Sequence, residues 1–109
     1  MVQRSLSRKS PAALARYRAL ADETRMRVLL RLVGGEVCVC ELAEELDVTQ
    51  PLLSFHLRTL REAGLVRVER RGRWNFYSLD ARGVEAAVSF LSDVVAAHAA
   101  AARPYAACC

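Results

Sequence analysis

Four cysteines are the residues of this chain best equipped for chemistry, and they fall into two pairs. Cys38 and Cys40 lie in Val37-Cys38-Val39-Cys40-Glu41-Leu42, and Cys108-Cys109 are the last two residues given. Neither pair has the layout of a disulfide framework. Thiolates favour soft metal ions, so the two pairs read as a split soft-metal site. Clustered cysteines under reducing conditions signify metal or redox chemistry rather than cross-links. The polar, basic N-terminus has no apolar run behind it that would read as a secretory signal, so the cytoplasm is the expected compartment. The most apolar stretch, 84–102, is interrupted by Glu85, Asp93 and His98. No stretch is expected to span a bilayer, and no membrane partner is expected.

These thiols need elements to position them. With 109 residues, of which 53% are hydrophobic, the chain is expected to form one domain, which dimerisation would help to stabilise. A flexible basic arm is expected over 1–10, a folded domain over 11–103 and a cysteine-bearing tail over 104–109. Ser10-Pro11 reads as the start of a first helix reaching about Ala21. Asp22 reads as the N-cap of a second helix with Met26, Leu29, Leu30 and Val33 as its apolar stripe, stopped by Gly34-Gly35. A third helix is expected over Cys38–Leu46, with Val39, Leu42, Ala43 and Leu46 facing a core. Asp47-Val48 forms a turn, Thr49 caps a fourth helix with Leu53, Leu57 and Leu60 inward, and Gly64 ends it. Two strands follow, Leu65–Glu69 and Trp74–Leu79, joined by Arg71-Gly72-Arg73. Asp80 opens a last helix, with Val84, Ala87, Val88, Leu91, Val94, Val95 and His98 along one side. The fold class is therefore mainly α with a β-hairpin, in the order of a winged helix-turn-helix.

Helix three, a tight turn and helix four match a unit whose second helix enters the DNA major groove with its N-terminal half. That half offers Gln50, Ser54 and, further along, Arg58; His56 and Thr59 are further polar positions. Glutamine can bond adenine at two points. The hairpin tip, with Arg71 and Arg73, suits a wing against the minor groove or backbone. Residues 58–73 hold six arginines against Glu62 and Glu69, and the whole chain carries a net charge of +4, so an anionic partner is expected. Trp74, Phe76 and Tyr77 read as packing within the wing.

Four segments carry a family resemblance: 21–25 (ADETR), 36–43 (EVCVCELA), 49–57 (TQPLLSFHL) and 60–66 (LREAGLV). Together they resemble the ArsR/SmtB family of bacterial metalloregulators, over roughly residues 12–95, and the Cys-Val-Cys box before Glu-Leu is the specific part. The resemblance implies a homodimeric repressor that sits on double-stranded operator DNA without metal and leaves when metal binds. Arsenic sensors of the family often carry a third cysteine three residues after the box; here that position is Ala43. Cadmium and lead sensors add cysteines from the N-terminal arm, and this arm has none. Zinc sensors use Asp and His pairs on the last helix, where this chain has only Asp93 and His98.

Cys108 or Cys109 is then the expected third ligand beside Cys38 and Cys40. As(III) and Sb(III), which take three thiolates, are the inducers the resemblance puts first. Cd(II), Pb(II) or Zn(II) on four thiolates and a thiol redox switch are the alternatives. No enzyme is expected, since the chain has neither a Cys-x-x-Cys motif on a βαβ unit nor a cofactor fingerprint. Residues two apart on a regular helix point about 200° away from each other, so Cys38 and Cys40 are expected to share an ion only if helix three distorts.

Overall fold

A computed structural model describes residues 2–101, with side chains from Ser10 onward. Cys108 and Cys109, and with them the expected tail, lie outside the described residues. Five helices and three strands run in the order α1 (Val2–Leu20), α2 (Glu23–Leu32), β1 (Val37–Cys38), α3 (Val39–Leu46), α4 (Gln50–Glu62), β2 (Val66–Arg71), β3 (Trp74–Leu79) and α5 (Ala81–Ala101).

Most boundaries follow from capping chemistry. The Asp22 carboxylate accepts the N–H of Arg25 at 3.0 Å and starts α2. Thr49 caps α4 through the N–H of Leu52, with Pro51 in the first turn, where its missing N–H costs little. Asp47 ends α3 in the left-handed region, which Asp tolerates better than most residues, and Val48 donates back to the carbonyl of Ala43. Gly64, at φ 78°, ends α4, and Leu65 donates to Leu60 across that turn.

Four expectations need correction. The first helix begins at Val2, so Pro11 lies inside it rather than at its start. Residues 2–9 include good helix formers and no glycine, and one proline removes a single backbone donor. The α2 stripe is rotated: Val28 and Leu32 are buried, whereas Met26, Leu30 and Val33 are exposed. The hairpin is part of a three-stranded antiparallel sheet of order β1-β3-β2. Its third strand has two residues, too few for a period-two pattern to show. Finally, α5 is by length and composition long and apolar enough to cross a bilayer; its alanines raise the mean hydropathy despite Glu85 and Asp93.

The core joins α2, α3, α4 and the sheet through Val28, Leu32, Val37, Leu42, Ala43, Leu46, Leu53, Leu57, Leu60, Leu65, Val66 and Tyr77. The α3 and α4 stripes read from the sequence are the ones that pack. α5 returns across α1, where the Tyr17 hydroxyl donates to the Ala87 carbonyl and the Tyr17 and Phe90 rings meet edge to face.

Candidate metal centre and nucleic-acid interface

The cysteine box straddles a strand–helix junction. Cys38 has extended backbone, φ −71° and ψ 143°, and is the N-cap of α3; Cys40 is in its first turn. The non-helical Cys38 turns its side chain toward Cys40, and the two sulfurs lie 2.6 Å apart. Both are free thiols, Cys38 buried and Cys40 half-buried. The expected need to distort α3 is thereby corrected. The residues are two apart in sequence, but only one of them belongs to the helix.

The pair shares its protons unequally. The hydrogen bond shared with Cys40 lowers the Cys38 pKa; N–H groups of Cys40 and Glu41 act in the same direction, opposed by burial and by the Glu41 charge. The Cys40 pKa is raised, first by that same hydrogen bond and then by burial and the Cys38 charge. Cys38 is thus the first thiolate, at a helix N-terminus, where the backbone dipoles favour an anion. Position 43 holds a buried alanine, so α3 supplies no third thiol. Among the described residues, no group of three or more His, Cys, Asp or Glu side chains could hold a metal ion.

This junction is hydrogen-bonded into the wing. Val37 pairs with Tyr77 and Cys38 with Phe76. One residue earlier, Glu36 takes both Nη atoms of Arg71, at 2.5 and 3.0 Å. Arg71 also bonds Glu69 at 2.6 Å and lies over the Phe76 ring at 4.7 Å. The guanidinium holds the Glu36 carboxyl below the usual carboxylate range, and the two carboxylates raise the Arg71 pKa. Arg71, expected from the sequence to contact DNA, is exposed and pairs here with Glu36 and Glu69, which ties the wing to the cysteine junction. Arg73 is at the tip, 5.6 Å over the half-exposed Trp74 ring, and Tyr77 is the buried aromatic of the wing.

On α4, Gln50, Ser54 and Arg58 are exposed on the outward face, and Arg58 pairs with Glu62 at 3.7 Å. The half-buried Thr59 donates its hydroxyl to the Phe55 carbonyl. His56 is not on this face: it is 8% exposed, in phase with Leu53, Leu57 and Leu60. Its Nδ1 lies 3.0 Å from Nη1 of Arg25 and 3.8 Å from the Asp22 carboxylate. Arg25 in turn donates to the Ala19 and Arg18 carbonyls. This network docks α4 onto the α1–α2 corner. Its sequence signal was the i, i+3, i+4 spacing of 53, 56 and 57, hidden by the polarity of histidine. Sequence reading also missed Leu52 and Phe55, both exposed on the outward side, where Arg61, one of the six arginines of 58–73, is exposed too.

Residues 22–68, from the α2 cap through the first half of β2, match the family model described as bacterial regulatory protein, arsR family. A Bacillus subtilis arsenical resistance operon repressor is 39% identical over 75 residues, covering 68% of this chain and 71% of the relative. The chain belongs to the ArsR family. A Staphylococcus aureus cadmium resistance regulatory protein homologue is 32% identical over 80 residues, 72% of this chain and 66% of the relative. Against three further arsenic resistance regulators the match spans only 50%, 55% and 56% of their length. A crystal structure of an ArsR family transcriptional regulator superposes with a TM-score of 0.76 at 27% identity, covering 85% of this chain and 96% of that one. The winged helix-turn-helix expected from the sequence is thus the fold. Around α3 the chain carries two cysteines, Cys38 and Cys40, and alanine at position 43.

Proposed function

We infer that this ArsR-family regulator is a repressor that binds double-stranded operator DNA as a homodimer and leaves it when As(III) or Sb(III) is captured by thiolates. It acts in the cytoplasm and has no enzymatic role. The observation that carries the reading is the convergence of the Cys38 and Cys40 sulfurs at the N-terminus of α3. Cys108 or Cys109 supplies the third thiolate. Gln50, Ser54, Arg58 and Arg73 are the DNA contacts, with Thr59 at the edge of the interface. The names of the arsenical resistance relatives support the metalloid. The cadmium relative supports Cd(II) as the second reading.

The dimer face is α1 with α5. Leu14, Val88, Leu91, Val94 and Val95 are exposed there, an apolar surface that a second copy would cover.

A route to release follows from where the two thiols stand. An ion held by both sulfurs would join Cys38, which pairs with β3 of the wing, to Cys40 in the first turn of α3, the helix that packs against α4. Capture at this junction would therefore act on the wing and on the support of α4 together.

Operator binding of the full chain titrated with As(III), Sb(III), Cd(II) and Zn(II) under reducing conditions tests the reading. As(III) and Sb(III) should release DNA at the lowest concentrations, and truncation after Ala107 should raise the As(III) concentration required. Release by Cd(II) alone would replace the metalloid. Unchanged As(III) release by the truncated chain would remove the tail from the site.

A further inference from the structure

The outward face of α4 carries an apolar patch as well as polar side chains. Leu52 is 47% exposed and Phe55 58% exposed, one turn apart in the N-terminal half of the helix. Neither belongs to the core, whose α4 members are Leu53, His56, Leu57 and Leu60. The Phe55 ring touches the His56 ring edge-on, centroids 5.5 Å apart, and its other side is open. It borders a groove of about 420 Å³ between α4 and the wing, lined by Pro51, Ser54, Phe55, Arg58, Arg61 and Tyr77. A phenylalanine exposed between Ser54 and two arginines suits a surface that is anionic at its rim and apolar at a few points. Duplex DNA presents that combination: phosphates outside, and in the major groove the C5-methyl of thymine as its apolar feature.

We propose that Phe55, with Leu52 beside it, reads thymine methyl groups in each operator half-site. The inference rests on the DNA-binding reading above. The apolar contact selects thymine over cytosine where the polar side chains of α4 do not reach.

The test uses a duplex selected from a random library by the wild-type chain, with each thymine replaced in turn by deoxyuridine, which removes only the methyl. One or two replacements per half-site should weaken wild-type binding about four-fold, the worth of one buried methyl. Phe55→Ala should bind the unmodified duplex more weakly by a similar factor and be indifferent to those same replacements. Phe55→Leu should restore part of the sensitivity. A wild-type chain that binds duplex but ignores every replacement overturns the proposal alone, as does Phe55→Ala retaining the full penalty. A chain that selects no duplex overturns the DNA-binding reading with it.

Discussion

The Sγ atoms of Cys38 and Cys40 lie 2.6 Å apart because one residue ends a strand and the other begins a helix. A dithiol on a continuous helix would have to melt to close on an ion; here Cys38 lies outside the helix, so α3 need not unwind. As(III) binding should therefore leave the far-UV helical signal unchanged to within about one turn, four residues. Cys38→Ser and Cys40→Ser should each weaken As(III) binding by more than about 100-fold. Loss of a full turn or more of helix on metal addition would restore the distortion mechanism.

Unequal sharing of protons makes Cys38 the nucleophile of the pair. Its pKa is lowered from that of an ordinary cysteine, chiefly by the hydrogen bond with Cys40. The rate of Cys38 alkylation, followed by mass spectrometry, should reach half its plateau at a lower pH than that of a cysteine in an unfolded control peptide. Cys40→Ala removes the hydrogen bond and should shift the profile upward. Cys40→Ser keeps a donor and should shift it less. An identical profile in all three chains would show that the backbone N–H groups alone set the Cys38 pKa.

Arg71 and Arg73 are two residues apart and have different tasks. Arg71 is held by Glu36 and Glu69, whereas Arg73 stacks at the tip. Arg73→Ala should reduce the slope of log K against log salt by about 0.9, the share of one phosphate contact. Glu36→Gln, which removes no positive charge, should speed amide exchange in β2 and β3 as Arg71→Ala does and leave the salt slope unchanged. A drop in slope for Arg71→Ala equal to that for Arg73→Ala would return Arg71 to the DNA contacts.

Most of the fold was legible because caps and periods are local. Asp22, Thr49, Gly64 and Asp80 each mark an element boundary through a side chain or a backbone preference written at that position. The errors share a physical cause, dependence on distant partners. β1 has two residues and exists only because β3 lies alongside it. The α2 stripe is set by which face meets α3 and α4, and its apolar residues outnumber the positions available. His56 is buried because Arg25 and Asp22, more than 30 residues earlier, give it polar company. The cysteine box was found from sequence, but its geometry depended on a strand that the sequence could not show.

Gly83 on α5 gives a final test of how the helix is seated. A Cβ there would overlap the Gly64 carbonyl oxygen and lie 2.6 Å from its carbon, both backbone atoms that cannot step aside. In an open helix, Gly→Ala stabilises by about 1 kcal/mol. Here Gly83→Ala should instead destabilise, by about 1–3 kcal/mol, as overpacking does. Because it pushes α5 off the α4–β2 turn, it should also weaken self-association measured by sedimentation. Gly34→Ala is the control, since its added Cβ would meet only ordinary contacts, the nearest at 3.6 Å, and it should leave the melting temperature unchanged or slightly raised. Equal melting temperatures for Gly83→Ala and wild type would mean that α5 can shift on its seat without cost, and the close approach at Gly64 would then fix nothing.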